Sequence, residues 1–145
     1  LLEHLAQMAQ LHLLGLAGAA ARGVFGQLDV EWAHFAWNAW ILLALVPLLR
    51  HFGRERWLVA TLLFAGWHFV EHAYLMGVYL ATGQAGTPGL LAAGGLLGGG
   101  LPLGRADLHF LYNLVETALL VAAFAVALRR VAAGAAGRRG AGSWA

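Results

Sequence analysis

The chain has 145 residues, of which 61% are hydrophobic and 11% are charged. An ordinary soluble domain carries roughly 25% charged residues, so this composition excludes such a domain and predicts an integral membrane protein. The formal charge of +2 comes from arginine without lysine, and cysteine is absent. A lysine-rich nucleic-acid surface, disulfides and thiolate metal ligands are therefore excluded.

Four apolar segments follow one another along the chain: Leu1–Ala20, Glu31–Leu49, Trp57–Leu80 and Leu108–Leu128. Each is long enough to cross a membrane, because about 20 apolar residues span the hydrocarbon layer. We therefore predict an all-α fold, an integral membrane bundle of four transmembrane helices that is multi-pass in the cell membrane and forms one domain over residues 1–133. Residues 134–145 are rich in Gly, Ala and Arg, and we expect a flexible C-terminal tail there.

The distribution of arginine predicts the orientation of this bundle. Seven of the nine arginines lie in the second loop or after the fourth segment: Arg50, Arg54, Arg56, Arg129, Arg130, Arg138 and Arg139. An even number of crossings separates the two groups, and arginine favours the cytoplasmic side of a membrane. Both termini are therefore predicted to be cytoplasmic, with the first and third loops outside.

The third loop, residues 81–106, is unusual for a connection between helices. Its part from Pro88 to Gly104 mixes leucine and glycine and contains no polar side chain, whereas a solvated linker is typically polar. One interpretation is that this Gly/Leu-rich outer loop lies in the membrane interface or folds back over the outer end of the bundle. The other is a poorly ordered loop in contact with lipid.

Polar residues recur inside the predicted helices at spacings of three and four. The sets are Glu31, His34 and Asn38; His68, Glu71 and His72; and His109, Asn113 and Glu116, with His12 in the first segment. Each set lies on one face of its helix. An ionisable group in hydrocarbon costs roughly 2.5–3.5 kcal/mol, so these faces are expected to point inward. Counted at about 1.5 Å per residue, they converge in one layer in the outer half of the bilayer.

Imidazole and carboxylate groups gathered from several helices are how a bundle builds a metal site. The predicted ligands are His12, His34, His68, Glu71, His72, His109, Asn113 and Glu116. Glu31, Asn38, Trp67 and Tyr112 are expected to orient these ligands or to contact a substrate. Glu3 and His4 lie near the inner end of the first segment and stay outside this prediction, and His51 lies in an arginine-rich loop and is expected to be solvated.

Nitrogen and oxygen donors alone leave several functions open. Iron or copper is the favoured metal, zinc and manganese are compatible, and haem bound by two histidines is less favoured. An oxidase-like role would use oxygen, a quinol or another small apolar substrate, whereas a metal-handling role would involve no reaction, so enzymatic activity stays open. The alternative is a non-enzymatic membrane subunit or transporter-like module in which the same residues form a proton or ion relay. The run of small residues 15–21 permits close helix contacts, so a homo-oligomer or a membrane complex is compatible with the sequence.

Overall fold

The computed structural model of the chain describes residues 1–18, 20–24 and 30–141. Helix α1 (Leu2–Met8) continues into a π-helical turn (Ala9–Leu13), and three long helices follow: α2 (Val30–Phe52), α3 (Arg56–Thr82) and α4 (Arg105–Ala141). No strand occurs within these described ranges. The predicted all-α fold is thus confirmed.

The long helices begin and end close to the predicted positions, but the first and last segments differ from the prediction. The first helical segment ends at Leu13 and not at Ala20. Gly15 follows with a φ of +64°, a left-handed conformation that commonly terminates helices. Residues 134–141, which we predicted for the flexible tail, continue α4, since Ala and Arg are strong helix formers. The rest of that tail, 142–145, lies outside the described residues.

Within the part of the chain that the structure describes, two helices are long and apolar enough to cross a membrane, α2 over Glu31–Phe52 and α4 over Arg105–Ala133. Their most apolar stretches have mean hydropathies of 1.5 and 1.9. Helix α3 has sufficient length at 27 residues, but the histidines and glutamate in its middle lower its mean hydropathy. A membrane location is therefore indicated by two helices, and the predicted four-span bundle is not confirmed.

Helix α3 is central to the bundle, because it packs against both α2 and α4, while α1 packs against α4. An apolar cluster at one end of the bundle joins Leu45 of α2, Leu58 and Ala65 of α3, and Ala123 of α4. The buried polar residues of α3, from His68 to His72, begin directly beyond this cluster. The packing therefore turns the polar face of α3 toward α4 and away from the surface.

The Gly/Leu-rich loop between α3 and α4 folds back onto these helices, as the first of our two interpretations predicted. Ala92 is fully buried and packs with Leu108 and Tyr112 of α4. The loop also bonds to itself, for example from the Ala93 amide to the Leu103 carbonyl at 2.8 Å. A loop without polar side chains satisfies its backbone groups in this way, which burial requires.

Candidate metal centre

Three buried histidines meet between α3 and α4. His68 and His72 lie one turn apart on α3, and His109 lies on α4. A ring nitrogen from each lies within 4.8 Å of the other two, and the three residues are 0%, 1% and 3% exposed. We call these residues the histidine triad.

Hydrogen bonds orient two rings of the triad. Nδ1 of His68 lies 2.9 Å from Oε1 of Glu116, and Nδ1 of His109 lies 2.8 Å from the backbone carbonyl of Arg105. A carboxylate and a carbonyl only accept, so each Nδ1 carries the proton. This tautomer leaves the Nε2 lone pair of both rings available to a metal ion. A metal-binding histidine usually has a hydrogen-bond acceptor at the ring nitrogen that does not bind the metal.

Unpartnered nitrogens show that the triad fits a bound ion. Nε2 of His109 and Nδ1 of His72 are buried and have no hydrogen-bond partner among the described residues, although buried polar atoms are normally paired. Nε2 of His72 lies 3.1 Å from Nε2 of His68. An ion bound by the triad would replace this contact between two rings and would satisfy the unpartnered Nε2 of His109.

Two further histidines extend the triad toward α1 and α2. The ring of His34 stacks on that of His72 with centroids 5.6 Å apart, and the ring of His4 lies 5.4 Å from that of His34. His4 is buried, with 6% of its surface exposed. Burial and the neighbouring His34 lower the pKa of His4 from 6.5 to about 3, so its ring is neutral at physiological pH.

Sequence reasoning left out His4, because it placed this residue near the inner end of a longer first helix, and it included His12, whose position depends on an irregularity that follows α1. The π-helical turn Ala9–Leu13 holds more residues per turn than an α-helix, so His4 and His12 no longer share a face. His12 instead forms an exposed ion pair with Asp107, with Nε2 2.7 Å from Oδ1. The structure therefore does not bring His12 together with the triad, and no signal in the sequence marks the π-turn.

Glu71, a predicted ligand, and Glu31, which was expected to orient the ligands or contact a substrate, both bind elsewhere in the structure. Glu71 is fully buried, and its Oε1 accepts a 2.7 Å hydrogen bond from the amide of Leu90 in the α3–α4 loop. Glu31 accepts two 2.8 Å hydrogen bonds from the guanidinium of Arg105 and one from the amide of Gly86. Both glutamates attach the loop end of the bundle to its helices, and neither lies in the triad.

The remaining predicted residues support the helices around the triad. Asn38 and Asn113 each donate from Nδ2 to a carbonyl on their own helix, those of His34 and His109, at 2.9 Å. Trp67 donates from Nε1 to the hydroxyl of Tyr112 at 3.1 Å. The Tyr112 ring lies 5.0 Å from the ring of His68, so this aromatic pair packs against one side of the triad.

A cavity of about 690 Å³ opens beside the histidines. His72 and His109 of the triad line it, as do His4, His34 and Arg105. Its volume lies in the range of small-molecule sites, roughly 300–1,000 Å³. An ion on the triad would therefore have room for a further ligand on its cavity side.

Comparison of the chain with protein-family models, curated proteins and solved structures finds no match. The function must therefore be argued from the geometry of the chain itself.

Proposed function

We propose that the protein is a membrane metalloprotein in which His68, His72 and His109 bind a transition-metal ion. The observation that supports this proposal best is the convergence of three buried ring nitrogens within 4.8 Å. Two of the rings already have the tautomer that a metal requires, because their Nδ1 atoms are bonded to Glu116 and to a carbonyl. These hydrogen bonds hold the two imidazole rings in a fixed orientation. A fixed set of ligands favours a permanently bound ion over an ion that the protein transports.

The donor set limits the ion and its chemistry. Three neutral imidazoles without a thiolate suit iron, copper or zinc, and iron or copper would supply oxidation-reduction chemistry with oxygen or a quinol. Glu116 balances part of the ion's charge through His68, while Arg105 is already paired with Glu31. The cavity beside His72 and His109 would admit a small substrate to the coordination position that the protein leaves open.

The membrane part of the proposal treats α3 as a third spanning helix beside α2 and α4. At 1.5 Å per residue, its 27 residues extend about 40 Å. The ionisable residues in its middle, His68, Glu71 and His72, are buried, whereas its exposed positions include Leu63, Val70 and Leu80. A helix with this distribution presents an apolar surface to lipid despite a moderate mean hydropathy. The arginines then favour a cytoplasmic α2–α3 loop.

Metal analysis of the protein, purified without chelator or nickel resin, tests the metal site. We expect at least one ion per chain, and a loss of metal in His68→Ala and His109→Ala. His51→Ala is the matched control, since His51 is exposed and contacts Phe52 at the far end of α2. Wild-type metal content in both triad variants would contradict the proposal. A Soret band in the absorption spectrum would indicate haem instead of a lone ion.

Cysteines introduced one at a time at Arg54 and Gln84 test the membrane arrangement. Both positions are exposed, one in the α2–α3 loop and the other just after α3. An impermeant thiol reagent added to intact cells should label only the cysteine at position 84. Labelling of both from the same side would show that α3 does not cross the membrane.

A proton relay is the second candidate function, and one feature favours it. Nε2 of His72, Nε2 of His68, Nδ1 of His68 and Oε1 of Glu116 form a continuous chain of contacts at 3.1 and 2.9 Å. Neutral imidazoles can pass protons along such a chain. This candidate predicts that metal-free protein in vesicles conducts protons and that Glu116→Gln abolishes the flux.

A further inference from the structure

Two histidines remain beside the triad without a role in it, and His4 is buried. His4 lies on α1 and His34 on α2, whereas the triad comes from α3 and α4. Nδ1 of His4 is buried and has no hydrogen-bond partner among the described residues. A buried nitrogen without a partner destabilises the fold, so its position calls for a ligand.

The cavity provides the place for that ligand. His4 and His34 line the same cavity as His72 and His109, and their rings are 5.4 Å apart. Gln7 lies one turn after His4 and also lines the cavity, with its Nε2 donating to the Ala21 carbonyl at 2.9 Å.

We propose that His4 and His34 bind a second transition-metal ion, so that the centre has two metals in one layer of the bundle. This inference rests on the proposed function, because it adds an ion to the triad's ion. Ligands from two helices on each side of the layer are how other helix bundles form two-metal centres. Two imidazoles leave several coordination positions open, and the 690 Å³ cavity has room for solvent or substrate at those positions.

The ring of His72 connects the His4–His34 pair to the triad. It belongs to the triad and stacks on His34 at an angle of 16° between the ring planes. His34 contacts the triad through the ring of His72, and His4 contacts His34. A protein-bound metal ion commonly has three or four protein ligands, and the triad already supplies three, so we assign the His4–His34 pair to a second ion.

Cobalt(II) is a suitable probe for the number of sites. Metal-free protein in detergent is saturated with cobalt(II), excess ion is removed by desalting, and cobalt per chain is measured by elemental analysis. We expect two ions in the wild type and one in His4→Phe and in His34→Phe. Phenylalanine keeps a ring in the packed layer and removes the nitrogen donors.

Controls separate this inference from the proposed function. His12→Phe should retain two ions, because His12 lies on the same helical segment but pairs with Asp107 outside the cavity. One ion in the wild type that is lost in His68→Phe would overturn the second site and leave the triad intact. No ion in the wild type would overturn the proposed function together with this inference. Two ions retained in both His4→Phe and His34→Phe would place the second site elsewhere.

A measurement on the wild type covers the case in which the phenylalanine variants do not fold. Saturation with copper(II) should give an electron paramagnetic resonance spectrum with spin–spin coupling and a half-field signal, because both ions would lie in one layer. Two uncoupled copper signals, or one, would reject a two-metal centre.

Discussion

Glu116→Gln tests how far the second layer of residues controls the metal centre. Oε1 of Glu116 accepts from Nδ1 of His68 at 2.9 Å, and the residue is 6% exposed. Glutamine has nearly the same shape, and its amide oxygen still accepts this hydrogen bond. The substitution therefore keeps the orientation of the His68 ring. It removes the negative charge that increases the basicity of this imidazole as a metal ligand. Loss of such a partner typically lowers metal affinity 10- to 100-fold, or about 1.4–2.7 kcal/mol.

The assay is competition between the purified protein and a chromophoric chelator for zinc(II). We expect Glu116→Gln to shift the competition curve by 10- to 100-fold and His68→Ala to shift it further, because the latter removes a ligand. Glu55→Gln is the matched control. Glu55 accepts hydrogen bonds from the amides of Trp57 and Leu58 at the start of α3, more than three helical turns before His68. Equal affinities for wild type and Glu116→Gln would refute the argument that this carboxylate acts through His68.

Three further predictions concern stability in detergent, measured as the thermal unfolding midpoint. Gly89→Ala should destabilise the protein by roughly 1–3 kcal/mol, because Gly89 has a φ of +82° and a β-carbon there would collide with Glu71. Gly98→Ala is the control and should destabilise the protein less, since Gly98 has a φ of +63° but open space around it. Arg105→Gln should cost roughly 2–3 kcal/mol, since it leaves the buried Glu31 carboxylate without its cation, and adding Glu31→Gln should recover part of this loss. Removal of metal by a chelator should lower the midpoint, because an ion at about 100 times its dissociation constant contributes about 2.7 kcal/mol. An unchanged midpoint in any of these comparisons would contradict the corresponding contact.

Helix periodicity was sufficient to predict that the three histidines of the triad lie close together. His68 and His72 share a face at a spacing of four, and His109 follows on a helix that runs in the opposite direction. Counting depth along antiparallel helices placed all three in one layer before any contact was known. The same count placed Glu116 in this layer as a metal ligand, whereas in the structure its Oε1 lies 2.9 Å from Nδ1 of His68. The face of a helix on which a residue lies depends only on its spacing from nearby residues, and consecutive helices joined by a loop run in opposite directions. Both features can be read from the sequence, so these residues could be predicted.

Contacts that depend on loops or on helix irregularity could not be predicted in this way. Glu71 has the same spacing as its histidine neighbours, yet it bonds to Leu90 in a loop whose path has no periodic signal. Glu31 is paired with Arg105, which precedes the fourth predicted segment. The displacement of His12 from the centre depends on a π-turn. Each of these outcomes required knowledge of the backbone outside regular helix.

The moderate hydropathy of α3 and the buried polar cluster of its histidines have one cause. A mean over a whole helix counts every face, but only the outward face of a packed helix meets lipid. In α3 the polar residues His68, Glu71 and His72 are at most 1% exposed, so they lower the mean without touching the surroundings. Burial of such groups is costly unless they are paired or bind an ion. The residues that weaken α3 as a membrane helix by composition are therefore the residues that most require a ligand inside the bundle.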